Sequence, residues 1–198
     1  GKLAAYDWGE DPRFPSSTFR VLGMPDPGTF AEYLCVPADH VFSKPAHLSW
    51  EQAAAIPLAG LTAWRALMTQ GAAQAGETVL VTGIGGGVAT FALKWAAALG
   101  ARVFVTSGSE AKLGQAERMG AAGGVNYRDS AWVSQLAELT GGVDVIVDGT
   151  GGPTFPGYFS VLRPGGRFVV YGATAGNPPR GLEMARLFFR QARIIGST

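Results

Sequence analysis

The sequence predicts an α/β fold: a doubly wound, parallel, six-stranded sheet with helices on both faces. Three observations carry that expectation. From residue 78 onward, short runs rich in Val and Ile alternate with stretches of helical period. Those runs lack polar alternation, as strands covered on both faces do. Glycine is abundant, 29 of 198 residues, and gathers where the runs meet. A chain that passes from strand to helix within a few residues needs positions without a Cβ.

Strands are expected at 79–82, 102–106, 124–127, 143–147, 167–171 and 193–196. In the first connecting helix Val88, Phe91, Ala92, Trp95 and Leu99 share one face. Ser109 is placed as the N-cap of the second and Gly120 as its C-terminal glycine. Trp132, Val133, Leu136 and Leu139 line a third, and Pro164-Gly165-Gly166 turns into the fifth strand. The proline-rich first 48 residues hold only strand-like pieces at 29–36 and 40–43. Ser49 and Gln52 form a capping box for an alanine-rich helix that Pro57 interrupts, with a second helix at 60–68. The expected division is 1–70 and 71–198.

A formal net charge of +1 without a basic tract gives no case for nucleic acid or an anionic membrane as partner. A single cysteine, Cys35, excludes an internal disulfide framework and suits a reducing compartment. The apolar stretch 91–99 is broken by Lys94 and is too short to cross a bilayer. A soluble, cytoplasmic protein acting on a small molecule is expected. The chain opens at Gly1 without Met and closes on the apolar run Ile194-Ile195, which predicts a piece of a longer protein.

The stretch VLVTGIGGGVA at 79–89 runs from a buried strand through a glycine turn into a helix. Gly83, Gly85, Gly86 and Gly87 let a pyrophosphate lie against main-chain N–H groups, and the helix beginning near Val88 points its positive end at the phosphates. Ala89 is small enough for close helix–strand packing. This is the dinucleotide-binding corner of a Rossmann-type sheet, set against the plainer reading of a tight structural turn.

The end of the second strand selects the dinucleotide. Sheets that bind NAD place an acid there for the ribose hydroxyls. This chain has VTSGS at 105–109, with Glu110 following as a first-turn residue directed along the helix. Ser107, Ser109, Lys112 and Tyr127 offer hydroxyls, a cation and a phenol, which suit a 2′-phosphate and hence NADPH. An acid about 4 Å from that phosphate would cost on the order of 4 kcal/mol. Taken singly, Lys112 is a solvated helix residue and Tyr127 a half-buried strand aromatic.

With these motifs in order, the sequence resembles the medium-chain dehydrogenase/reductase superfamily, in its quinone-oxidoreductase-like and zinc-type alcohol dehydrogenase-like branches. The matching stretches are GTFAEY at 28–33, AAAIPLAGLTAW at 53–64, the glycine corner, GVNY at 124–127, GVDVIVD at 142–148, Pro164-Gly165-Gly166 and Gly172-Ala173. The resemblance implies a remnant of a GroES-like, β-rich catalytic domain ahead of the Rossmann-type sheet. It also implies that Thr62 approaches the nicotinamide and its phosphate. Asp148, Gly149, Gly172 and Ala173 would lie beneath the ring, with Phe188 and Phe189 in a loop beside it. Plain core packing is an equal reading for those two phenylalanines. A homodimer through the edge strand 192–197 is implied as well.

Metal binding is not expected. Cys35, His40 and His47 are the only soft or nitrogen ligands, and zinc sites take three or four. Alternation in an extended segment would direct Cys35 and His40 to opposite faces. The zinc alcohol dehydrogenases carry a cysteine where this chain has Leu58, and the stretch 6–28 lacks the cysteines of their structural zinc lobe. The expected function is therefore NADPH-dependent, zinc-independent hydride transfer to a quinone, enone or similar carbonyl acceptor. No catalytic acid or base stands out. The alternatives are an NADPH-binding fragment without turnover and a zinc-type alcohol dehydrogenase. No tyrosine is followed four residues later by lysine, against a short-chain dehydrogenase. A methyltransferase would want an acid at the second strand's end.

Overall fold

The computed structural model describes residues 2–3, 6–7, 14–17, 19–178 and 182–198. Its contacts divide the chain into two compact units, 1–61 and 62–198.

In the first unit, short strands β1 (Lys2–Leu3), β2 (Tyr6–Asp7), β3 (Arg20–Leu22) and β4 (Pro25–Asp26) form a small sheet in that order. The strands expected at 29–36 and 40–43 do not form. Those residues run without ladder partners and are interrupted by a 3-10 turn at Ala38–His40. A strand needs a neighbour to satisfy its backbone groups, and among the described residues none pairs there. The capping box is present: Gln52 N–H donates to the Ser49 hydroxyl at 3.2 Å, and Ser49 N–H to the Gln52 side chain at 2.9 Å. It opens α1 (Trp50–Ala54). The chain breaks at Ala55, and Pro57 then lies in the first turn of α2 (Ile56–Trp64), where its missing N–H has no intrahelical role. A π-helical turn, Arg65–Gln70, continues α2.

The second unit carries a six-stranded parallel sheet: β5 (Thr78–Val81), β6 (Arg102–Ser107), β7 (Gly123–Asn126), β8 (Val143–Asp148), β9 (Leu162–Val170) and β10 (Arg193–Gly196). Its spatial order is β10-β9-β8-β5-β6-β7. The order reverses beside β5, so a crevice opens at the carboxyl ends of β5 and β8, where such sheets take ligands. Pro164-Gly165-Gly166 falls between the two paired portions of β9, where the register against β8 jumps from Leu162 to Arg167.

Strand residues alternate between two cores. Val79, Val81, Val103, Val105, Val145 and Val147 pack with α3 (Gly87–Leu99), α4 (Glu110–Arg118) and the π-helical turn. Leu80, Phe104, Ile146 and Phe168 pack with α5 (Trp132–Thr140) and α6 (Phe155–Ser160). The buried stripe of α3 is Ala89, Ala92, Leu93 and Ala96, rotated from the expected one. Small residues let this helix lie close to β5, whereas Trp95 turns outward and meets the edge of the Trp64 ring at 5.5 Å. At the opposite end of the sheet from the crevice, Arg167 donates to the Gly71 carbonyl at 2.8 Å and the Glu77 carboxylate at 2.5 Å. Arg163 pairs with Asp144 at 2.7 Å. These ties hold the strand beginnings and leave the strand ends to the site.

Candidate functional site: a dinucleotide crevice

The corner between β5 and α3 is built on glycines in conformations closed to other residues. Gly83 has φ +63° and Gly85 +116°. A methyl group on Gly83 would stand 2.7 Å from Thr150 Cγ2, and one on Gly85 2.7 Å from Lys112 Cδ and 3.1 Å from its Nζ. Nothing lies within 4 Å of the corresponding point on Gly86. No side chain caps α3, which starts at Gly87 behind Gly86. Its first-turn N–H groups have no intrahelical acceptors and carry the positive end of the helix dipole. An open, uncapped helix start with an ammonium group folded over the neighbouring glycine fits a pyrophosphate.

The residues expected on the adenosine side lie at the ends of β6 and β7. Ser107 is buried, and its hydroxyl accepts from Ser109 N–H at 3.2 Å. Ser109 stands at the N-cap of α4 as expected, but its hydroxyl makes no capping bond. A methyl group on Gly108 would lie 2.9 Å from the Tyr127 hydroxyl and 2.8 Å from Arg128 Nε. Tyr127 and Arg128 therefore cover the same short turn. Glu110 does not simply follow the helix: its carboxylate accepts from the Asn126 amide at 2.6 Å, across to β7. Among the described residues no carboxylate pairs with Lys112 or Arg128.

The residues expected beneath the nicotinamide lie at the ends of β8 and β9. Asp148 is fully buried, with its carboxylate turned into the protein. It accepts from the Thr82 hydroxyl at 2.5 Å, the Thr150 hydroxyl at 2.7 Å, and the N–H groups of Thr150 and Gly151, each at 3.0 Å. It thus ties the strand end before Gly83 to the loop after β8. Gly149 has no room for a side chain, since a methyl group would meet the Tyr171 ring and hydroxyl at 2.4–2.5 Å. Gly172 packs on Gly149, while Ala173 is exposed. Thr62, in α2, is half-buried. Phe188 and Phe189 lie on a short helix, α7 (Met184–Phe189), not in a loop. They are 56% and 78% exposed, so the core-packing reading fails for both.

Burial pushes the Tyr171 phenol up to about 12, with the Asp148 carboxylate adding to the shift. Below pH 10, folded and unfolded states are both protonated and the full stability is present. Between about 10 and 12 only the unfolded state ionises, so stability falls as pH rises, by about 2 kcal/mol for this group. Tyr171→Phe should flatten the fall in Tm over that range. Burial raises the Tyr158 phenol as well.

The family profile described as zinc-binding dehydrogenase matches residues 87–198. The chain belongs to the medium-chain dehydrogenase/reductase superfamily. It is 40% identical over 182 residues to a zinc-type alcohol dehydrogenase-like protein, YogA, of Leptosphaeria maculans, covering 85% of this chain and 51% of that protein. A crystal structure of an NAD-dependent alcohol dehydrogenase superposes with TM-score 0.87 at 40% identity, over 92% of this chain and 53% of that one. The quinone oxidoreductase of Thermus thermophilus, described with its NADPH complex, superposes with TM-score 0.75 at 32% identity, over 87% and 54%. The chain spans about half the length of the curated relatives it matches.

Within this superfamily member, the described residues contain no group of three or more His, Cys, Asp or Glu side chains placed to hold a metal ion. Residues 8–13, part of the stretch expected to stand in for a zinc lobe, lie outside the described residues. The extended segment expected to hold Cys35 and His40 is interrupted by the 3-10 turn Ala38–His40. Cys35 and His40 both border one cavity of the first unit. No described helix is long and apolar enough to cross a membrane. Sequence reasoning missed Arg128 and Thr150. An arginine directly after GVNY is a signal that could have found the first.

Proposed function

We propose that this chain is the NADPH-binding half of a zinc-independent oxidoreductase that reduces an electron-poor carbonyl or conjugated alkene, a quinone or enone above all. The observation that carries the cofactor preference is the turn after β6. Tyr127 covers it and the Ser109 hydroxyl makes no capping bond, Lys112 stands in the first turn of α4 with its side chain over Gly85, and the acid that follows the turn, Glu110, is occupied by Asn126. The uncapped α3 start would hold the pyrophosphate. Gly149, Gly172 and Ala173 would form the floor under the ring, and Thr62 would approach it. Asp148 fixes the floor from below without touching the ring. The dihydronicotinamide, when bound, supplies a hydride to the acceptor, and a proton from solvent completes the product. The chain contributes orientation and exclusion of water, and no residue of it need titrate.

The quinone oxidoreductase similarity supports the acceptor class, and Leu58 supports independence from zinc. The exposed edge of β10, with Ile194 39% exposed, supports pairing of two copies there. A second reading, cofactor binding without turnover, is favoured by the half-length match to the relatives.

The test is NADPH oxidation with 1,4-benzoquinone and with an α,β-unsaturated ketone, in the presence of a chelator. Turnover that survives chelation is the expected result. NADPH binding with no oxidation by either acceptor would establish the second reading. Activity only with added zinc and an alcohol would contradict the proposal.

A further inference from the structure

We infer that Arg128 is a second cation for the cofactor's 2′-phosphate and sets the discrimination between phosphorylated and unphosphorylated dinucleotides. The inference rests on the NADPH reading above and extends it to a residue outside the expected set. Three observations carry it. Arg128 Nε and the Tyr127 hydroxyl lie 2.8 Å and 2.9 Å from one point above Gly108, so a guanidinium and a phenol share the turn between β6 and α4. Only a glycine at that turn leaves space for both.

Asn126 fixes the arrangement from both ends of its amide. Its oxygen accepts from Arg128 N–H at 3.1 Å, and its nitrogen donates to the Glu110 carboxylate at 2.6 Å. One side chain thereby fixes the backbone turn from which Arg128 projects and occupies the acid that would otherwise oppose a phosphate. Arg128 is itself exposed, and among the described residues no carboxylate pairs with it. Its guanidinium lies over a backbone turn whose other polar groups suit an anion.

The chemistry of the two cations differs. Lys112 supplies a compact point charge from α4 and reaches toward the glycine corner. Arg128 supplies a planar fork of donors from the turn after β7, able to take two oxygens of one phosphate. The guanidinium and the phenol over Gly108 suit a dianion better than a ribose hydroxyl.

The experiment compares 2′,5′-ADP with 5′-AMP by isothermal titration, at one fixed low salt concentration, on the chain and on Arg128→Ala and Arg128→Lys. These probes carry only the adenosine end, so the nicotinamide side does not enter. Expected are preference of the unmodified chain for 2′,5′-ADP, and an approximately tenfold or greater loss for it in Arg128→Ala. The affinity for 5′-AMP should stay within about twofold, and Arg128→Lys should fall between. Retained preference in Arg128→Ala would overturn the role of Arg128 and leave the NADPH reading standing. Equal losses for both nucleotides would overturn it too, since the contact would then be with the nucleoside. Equal binding of the two probes by the unmodified chain, or binding of neither, would overturn the NADPH reading and this inference with it.

Discussion

Asp148→Ala is expected to lower the stability of the chain by about 3 kcal/mol and its Tm by about 10 °C. The carboxylate is fully buried and accepts four hydrogen bonds, from two hydroxyls and two backbone N–H groups. Removing it leaves those donors in a dry setting, and each orphaned group costs about 1–3 kcal/mol before relaxation. The variant also releases Thr150, whose methyl lies against Gly83, from the end of β5. Cofactor affinity should therefore fall together with stability. Asp148→Asn preserves volume but turns an NH₂ group toward donors, so it should retain at most half of the loss. Thermal melts of the three proteins measure this. A change under about 1 kcal/mol in Asp148→Ala would mean that the cluster does not hold the crevice.

Lys112→Ala should weaken NADPH binding by about 10–100-fold and leave NADH within about threefold, because a charge-assisted contact to phosphate contributes about 1.5–3 kcal/mol. Tyr127→Phe removes a neutral donor and should cost about tenfold, again for NADPH alone. If both touch one phosphate, the double variant should lose less than the product of the single losses. The Lys112 effect should also shrink as ionic strength rises, since the turn is open to solvent. Equal losses for the two dinucleotides would move Lys112 from the 2′-phosphate to the pyrophosphate. The contact of its side chain with Gly85 makes that a concrete competing outcome.

The elements of the second unit were readable because their signals are local. Buried parallel strands show as Val- and Ile-rich runs, and Gly83 and Gly85 mark turns that only glycine enters. The capping box needed only Ser49 and Gln52, three residues apart. What failed to show depends on distant neighbours. The helix α3 carries two apolar stripes, and its period alone cannot say that alanines, rather than Trp95 and Phe91, face the sheet. The pieces at 29–36 and 40–43 have strand composition but no partner among the described residues to complete a ladder.

The same division runs through the site. The glycine corner, Ser109 and Tyr127 belong to motifs with fixed spacing. The pairing of Glu110 with Asn126 spans two βα units and could not be read from either one. Asp148 could be placed at a strand end from its motif. That its carboxylate turns inward follows only from Thr82, Thr150 and Gly151 closing around it. The place of Arg128 depends on Gly108 lying beneath it, a contact between the turns after β6 and β7 that neither motif contains.

The most direct measurement is a titration of the chain with NADPH and, separately, with NADH, following nicotinamide fluorescence at fixed salt. The account predicts that NADPH binds at least tenfold more tightly. NADH binding equal to or tighter than NADPH would contradict the proposed phosphate site of Ser109, Lys112 and Tyr127.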